Sequence, residues 1–352
     1  MRNSLCKTLK ASLALILCLA LLLSAACLDR GKGTRRYQAS FLDVFDTVTI
    51  VVVFAKSESE ADALINRAHE LLLWYHRLFD IYNAYEGVNN ACTVNENAGI
   101  APVKVDKALI ELAVFSKEMY GLTGGTVNIA MGSVLSIWHD YREAGTDEPD
   151  NAELPELDAL KAAAEHTDID KLIIDEQAQT LYLEDAEMRL DLGAIAKGYA
   201  AGLVVDVLTA EGAASVLLSV GGNVCSIGKR GDNEDWQVSV EDPFDASTLC
   251  VLPLDDSCLV TSGSYQRYYT VDGVRYHHII DPATLYPSTY FSSVSVMCAD
   301  SGLADALSTA LFNLPLDKGQ ALIEELSDVE VLWVDNDGKI TATAGFYSGS
   351  VD

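Results

Sequence analysis

Apolar residues recur along this chain at two spacings, every second position and every third or fourth, and the change from one to the other marks out its elements. Residues 47–54, TVTIVVVF, form an unbroken apolar run rich in β-branched side chains, which predicts a buried strand. A helix follows, opened by a capping box between Ser57 and Glu60 and carried by Leu64, Ile65, Ala68, Leu71, Leu72, Tyr75 and Phe79 at helical spacing. Residues 79–99 are rich in Asn and Gly and read as loop, with Tyr82, Tyr85 and Asn95 placed either for a ligand or for ordinary turn chemistry. A second amphipathic helix is predicted over 105–120, and the acidic, proline-interrupted stretch 143–157 reads as a surface loop. Short strands are expected within 171–190, and a helix opening at Asp191 with Ile195, Tyr199, Leu203, Val204, Val207 and Leu208 on one face.

The second half continues the pattern. Residues 215–220 read as a buried strand ending in Gly221-Gly222-Asn223, where paired glycines allow either a tight turn or close approach of a ligand. The runs 266–271 and 274–280 flank Asp272-Gly273, a strong hairpin signal, because Asp-Gly accepts the positive φ angles of a two-residue turn. Strand 291–298 leads into a helix over 300–314, and residues 329–343 close with a hairpin around Asn336-Asp337-Gly338. Strands and helices interleaved this way predict an α+β fold, with mixed or antiparallel sheets flanked by helices and a cleft between a larger core and a smaller subdomain.

Composition narrows the class. With 49% hydrophobic and 8% aromatic residues in 352, the chain can bury a substantial core. Its 24 basic against 52 acidic residues, a net charge of −28, argue against nucleic acid as a partner, since phosphate backbones require positive surface. Residues 1–26 read as a secretory signal, with Arg2, Lys7 and Lys10 ahead of the apolar stretch 11–23 and the small residues Ser24-Ala25-Ala26 behind it. Thirteen apolar residues fall short of the roughly 20 that span a bilayer. Beyond Cys27, the five cysteines Cys92, Cys225, Cys250, Cys258 and Cys298 contain no CxxC and lie mostly in apolar runs, which predicts buried free thiols.

Three features carry candidate chemistry. The expected helix start near Asp191 is an anion site by virtue of its free N–H groups, and Lys197 beside it suits a phosphate as well as it suits solvent. Asp305 and Thr309, four apart on an otherwise apolar helix, share a face and suggest a hard-metal corner. Of the adjacent pair His277-His278, strand alternation sends only one toward any given face. No GxxxxGK[ST] or GxGxxG occurs, so P-loop and dinucleotide-fold readings lack support.

The segments 191–200 (DLGAIAKGYA), 219–223 (SVGGN), 278–282 (HIIDP) and 304–312 (ADALSTALF), in this order, resemble the FAD:protein FMN transferase (ApbE) family, and with weaker upstream matches the resemblance spans roughly residues 37–333. It implies a T-fold-like core over residues 39–346, and Mg²⁺-dependent transfer of FMN from FAD to a Ser or Thr of an exported electron-transfer flavoprotein, with release of AMP. The alternatives are FAD pyrophosphatase activity and a flavin-binding lipoprotein without catalysis. The resemblance implies metal ligands at Ala194, Asp305 and Thr309, His278 as catalytic base, and Asp281 orienting it or meeting the flavin edge. Flavin-nucleotide contacts are implied at Phe45, Tyr82, Thr126, Val127, Asn128, Asp191, Lys197, Gly221, Gly222 and Ile280. Leu285 stands where the family has glycine, which predicts a turn of different backbone shape. Cys27, directly after small residues, resembles a bacterial lipobox. That implies a lipid-anchored protein on the extracytoplasmic face of the cell membrane, with residues 27–38 as tether.

Overall fold

The computed structural model describes residues 33–347; the stretch 1–26 read as a secretory signal and Cys27 lie outside the described residues. The chain begins with the antiparallel pair β1 (Arg35–Val44) and β2 (Thr47–Ala55), followed by helices α1 (Glu58–Phe79) and α2 (Ala91–Glu96). After β3 (Val103–Lys104) come α3 (Lys107–Leu122), α4 (Gly132–Asp147) and α5 (Leu157–Ala164). Strands β4 (Leu172–Asp175) and β5 (Thr180–Leu183) precede α6 (Ala196–Ala210), β6 (Val216–Val220) and β7 (Asn223–Ile227). Then follow β8 (Trp236–Glu241), β9 (Thr248–Leu254), β10 (Cys258–Gly263), β11 (Tyr268–Val271), β12 (Val274–His277) and β13 (Phe291–Cys298). Helices α7 (Ser301–Phe312) and α8 (Leu316–Glu324) lead to β14 (Glu330–Asp335) and β15 (Ile340–Ala342).

Eight strands form one sheet in the order β1-β2-β6-β7-β10-β13-β14-β15, every pairing antiparallel. The unbroken apolar run of β2 follows from its position in that sheet. Val51 and Val53 face a core shared with α1 and α6, while Val52 and Phe54 face a second core with Trp236 and Leu252 of the β8–β9 hairpin. A strand covered on both faces has no solvent side, so the two-residue alternation disappears. A third cluster lies around α7, with Val294, Leu307, Phe312 and Trp333. The fourth is smaller and joins Met131, Val134, Trp138 and Leu160 of the α4–α5 region to Tyr269 of the β11–β12 hairpin and Ile280.

The α+β expectation is met, and several boundaries move. The helix expected from Asp191 begins at Ala196, because residues 191–195 form a turn in which Asp191 Oδ1 accepts from the Gly193 N–H (2.8 Å). Strand 274–280 ends at His277, the last residue paired to β11. Within the expected loops lie α2, capped by Asn90 and Thr93, and the last turns of α4. Helix α4 itself had no predicted counterpart; two of its four buried residues are glycines, Gly132 and Gly145, so its apolar stripe is faint in sequence. The five cysteines beyond Cys27 are free, and all but the half-buried Cys250 are buried.

Candidate active site

Three elements of separate origin converge on one open cleft of about 150 Å³. Phe45 and Asp46 form the two-residue turn between β1 and β2; His76, Phe79, Asp80 and Tyr82 bring in the end of α1; Asp191 and Gly193 come from the turn before α6 and Lys197 from its first turn. Arg267, just ahead of β11, completes the wall. Of the residues implied by sequence, Phe45, Tyr82, Asp191 and Lys197 are therefore brought together. His76, Asp80 and Arg267 were missed as cleft residues. Asn-rich loop composition was the one pointer to Asp80, and His76 reads on its helix as a rim residue.

The β1–β2 turn is a strained piece of backbone. Val44 pairs with Thr47, leaving Phe45 (φ 51°) and Asp46 (φ 49°) as central residues of a turn that needs φ > 0 at both. A bulky aromatic rarely adopts that region. The Phe45 N–H donates to His76 Nδ1 (3.2 Å) and its ring meets His76 edge-on at 5.5 Å. Directly alongside runs the β6–β7 turn, Gly221 (φ 58°) and Gly222 (φ 96°). A Cβ on Gly221 would come within 2.6 Å of Thr47 Oγ1, and its N–H donates to the Val48 carbonyl (3.1 Å). Gly221 thus admits a neighbouring strand end, and Gly222, with open space around it, serves the turn.

Asp305 is the most deeply placed charge of the region. Two helices meet there: a Cβ on Gly198 of α6 would collide with the Ser301 carbonyl and with Asp305 Cβ of α7. That close approach carries the Asp305 carboxylate to the N-terminus of α6, where Oδ2 accepts from the Gly198 N–H (2.7 Å). The cap residue of α6, Ile195, has no side-chain acceptor, so Asp305 supplies the anion that free N–H groups and the macrodipole favour. Burial pushes the Asp305 carboxyl above its usual range, opposed by Lys197, whose Nζ lies 3.8 Å from Oδ2, and by the Gly198 amide. Buried Asn223 is near enough to favour the charged carboxylate, although its Nδ2 makes no well-formed hydrogen bond. Thr309 stands one turn along α7, half-buried. Among the described residues its hydroxyl, the Ala194 carbonyl and Asp305 Oδ1 receive no hydrogen bond.

The two histidines have different surroundings, His277 as the last residue of β12 and His278 just beyond it. His277 is buried against Phe312, with Nε2 donating to the Ser288 carbonyl (2.8 Å) and Nδ1 accepting from the Ile279 N–H (3.2 Å), so both ring nitrogens are spent on structure. His278 is half-buried, and its Nδ1 lies 3.3 Å from the Arg267 carbonyl. A carbonyl only accepts, so Nδ1 carries the proton and Nε2 keeps its lone pair. Crowding by protein, then the charges of Arg267 and Arg142, hold the His278 imidazole down to about 3 from an ordinary 6.5.

Other implied residues are held elsewhere. Asp281 does not bond to His278; its Oδ1 accepts from the Ala283 N–H (2.8 Å) and organises its own turn. In that turn Leu285 (φ 62°) keeps a left-handed conformation, so the backbone shape expected to change with the missing glycine is of the kind a glycine would adopt. Asn128 donates to the Thr167 carbonyl and accepts from the Ala130 N–H, while Val127 is 1% exposed. Thr126 is half-buried in the turn after α3, and Ile280 is buried in the α4–α5 cluster. Thr126, Val127, Asn128 and Ile280 do not line the cleft. Asn95 pairs both ends of its amide with the Leu190 backbone, holding the segment that leads into Asp191.

Comparison with known proteins bears on the family of the chain as a whole. Residues 45–333 match the model of the ApbE family. A protein of Treponema pallidum (strain Nichols) named FAD:protein FMN transferase is 35% identical over 91% of this chain and 90% of its own length. A Klebsiella pneumoniae (strain 342) protein of the same name is 33% identical over 80% of this chain and 85% of its own. Among solved structures, the ApbE protein of Thermotoga maritima superposes with a TM-score of 0.79 at 25% identity, covering 90% of this chain and 100% of that one. The flavin transferase ApbE of Vibrio cholerae gives 0.75 at 25% identity, covering 90% and 99%. With a family model over most of its length and relatives above 30% identity along nearly all of it, the chain belongs to the ApbE family.

Proposed function

We infer that this chain is an FAD:protein FMN transferase, which moves FMN from FAD to a Ser or Thr hydroxyl of an acceptor flavoprotein and releases AMP. The observation that carries the inference is the cleft itself: in a chain of this family, two aromatic side chains (Phe45 and Tyr82) line it together with Asp191, Gly193 and Lys197 at the start of α6, whose Gly198 N–H holds the buried carboxylate of Asp305. Flat rings suit a flavin or adenine face, and Lys197 and Arg267 suit a pyrophosphate.

The donor set at Asp305 fits a magnesium ion. Asp305 Oδ1, the Thr309 hydroxyl and the Ala194 carbonyl are hard oxygens of the kind Mg²⁺ takes, and one buried carboxylate leaves room for substrate phosphates as further ligands. Among the described residues no three His, Cys, Asp or Glu side chains gather around a metal position, so the site we propose rests on Asp305, Thr309 and the Ala194 carbonyl. Magnesium bound there would neutralise phosphate charge during transfer. His278 is the proposed base: its free Nε2 can take the proton of the attacking hydroxyl. A negative pyrophosphate beside Arg267 and Arg142, the cations that help hold the imidazole neutral, would favour its protonated form.

The test is incubation of the purified protein with FAD, Mg²⁺ and a Ser/Thr-bearing acceptor, read by intact mass. An FMN adduct that vanishes in EDTA, and falls at least roughly a hundredfold in Asp305→Asn, is expected from loss of several kcal/mol of charge stabilisation. Release of FMN and AMP without an adduct would instead make the chain a hydrolase. Anchoring through Cys27 on the extracytoplasmic face is a further proposal resting on the sequence; Cys27→Ala is expected to abolish incorporation of labelled fatty acid.

A further inference from the structure

We propose that Asp80, through Tyr85 and His76, is the positioning group that holds both aromatic walls of the cleft in place. The proposal rests on FAD being the ligand only for its consequence in binding, and on the protein's own hydrogen bonds for the rest. One branch is direct: Asp80 Oδ1 accepts from the backbone N–H of Tyr82 (2.7 Å) and of Asn83 (3.0 Å), which sets the turn carrying the Tyr82 ring. The other branch runs by relay. Asp80 Oδ2 accepts from the Tyr85 hydroxyl (2.7 Å), the Tyr85 oxygen lies 3.4 Å from His76 Nε2, and His76 Nδ1 accepts from the Phe45 N–H (3.2 Å).

The direction of each bond is forced. A backbone N–H only donates, so Nδ1 is the bare nitrogen of His76 and its proton sits on Nε2. That proton faces the Tyr85 oxygen, whose own hydrogen is committed to the carboxylate. Burial and the Asp80 bond push the Tyr85 hydroxyl up to about 12, so it stays a donor. Asp80 is itself buried, at 9% exposure, and four bonds from Tyr82, Asn83 (two) and Tyr85 satisfy it. Such an investment is needed because Phe45 sits at φ 51°, a conformation an aromatic residue keeps only when its surroundings over-determine it. Without an acceptor at Nδ1, the turn keeps the β1–β2 ladder, its ring contacts and the Arg267 guanidinium, which donates to the Asp46 carbonyl at 3.4 Å.

Two readouts test the relay, one of them independent of any ligand. Amide hydrogen exchange of the apoprotein is measured at Phe45, and FAD binding by flavin fluorescence, in His76→Leu, Tyr85→Phe and His76→Asn. Asn places an acceptor where Nδ1 was but cannot reach Tyr85. Expected are faster exchange at Phe45 and FAD binding weakened about two- to tenfold in His76→Leu, the range one lost hydrogen bond spans. Tyr85→Phe should show a smaller change in the same direction, and His76→Asn, which keeps an acceptor for Phe45 but loses Tyr85, should match Tyr85→Phe rather than the parent. Unchanged exchange at Phe45 in His76→Leu would overturn the proposal, as would full parental protection in His76→Asn or Tyr85→Phe. A parent protein that binds no FAD would sink the transferase reading, while the exchange result would still decide the relay.

Discussion

Leu285 and His278 lie seven positions apart, and each shows what a single residue's surroundings add to its type. Leu285 keeps a left-handed φ that costs a non-glycine residue about 1–2 kcal/mol, and the Trp138 indole N–H, donating to its carbonyl at 2.8 Å, helps hold it there. Leu285→Gly should therefore lie within about 1 kcal/mol of the parent in urea unfolding, strain relief offsetting lost apolar contact. Leu285→Val, apolar but β-branched, should lose about 1–2 kcal/mol. At His278 the folded value lies at about 3, below the ordinary 6.5, so between these the unfolded chain binds a proton that the folded chain does not. Stability accordingly falls as pH drops from about 6.5 toward 3. His278→Gln should flatten that part of the Tm-against-pH curve, whereas an unchanged curve would mean that the imidazole is not held neutral.

At the scale of elements, the decisive contact is α6 against α7. Gly198 lets the helices touch, and the touch is what delivers the Asp305 carboxylate to the amides at the start of α6. Gly198→Ala should destabilise the protein by about 1–3 kcal/mol through overpacking and abolish FMN transfer together with it. Transfer at parental rate in this variant would show that Asp305 need not sit at the helix start. Neither glycine nor carboxylate announces this in sequence: Asp305 and Thr309 are visibly on one helix face, but which helix they meet depends on packing. The same holds for the cleft's second wall. The turn Phe45-Asp46 was legible only as a resemblance, because a turn with φ > 0 is signalled by Asn-Gly or Asp-Gly, and here Phe45, an aromatic that rarely adopts it, is held by β1, β2 and His76.

Across the whole molecule, Trp138 joins the smaller α4–α5 cluster to the turn that follows His278, being 2% exposed and bonded to Leu285. Trp138→Ala should cost about 3–5 kcal/mol by equilibrium denaturation, from the cavity and the unpaired carbonyl. If the cost were below about 1 kcal/mol, the cluster would not be supporting that turn. The amino-acid sequence by itself determined the α+β class, much of the strand–helix order and the shared face of Asp305 and Thr309, since these follow from periods of two and 3.6 within one segment. The tertiary structure alone decided that Phe45, Asp80, Asp191 and Arg267 share a cleft, that Asp281 serves its own turn, and that Asn128 is spent on the backbone. Those are contacts between segments far apart in the chain, and periodicity within a segment carries no information about which distant segment will cover it.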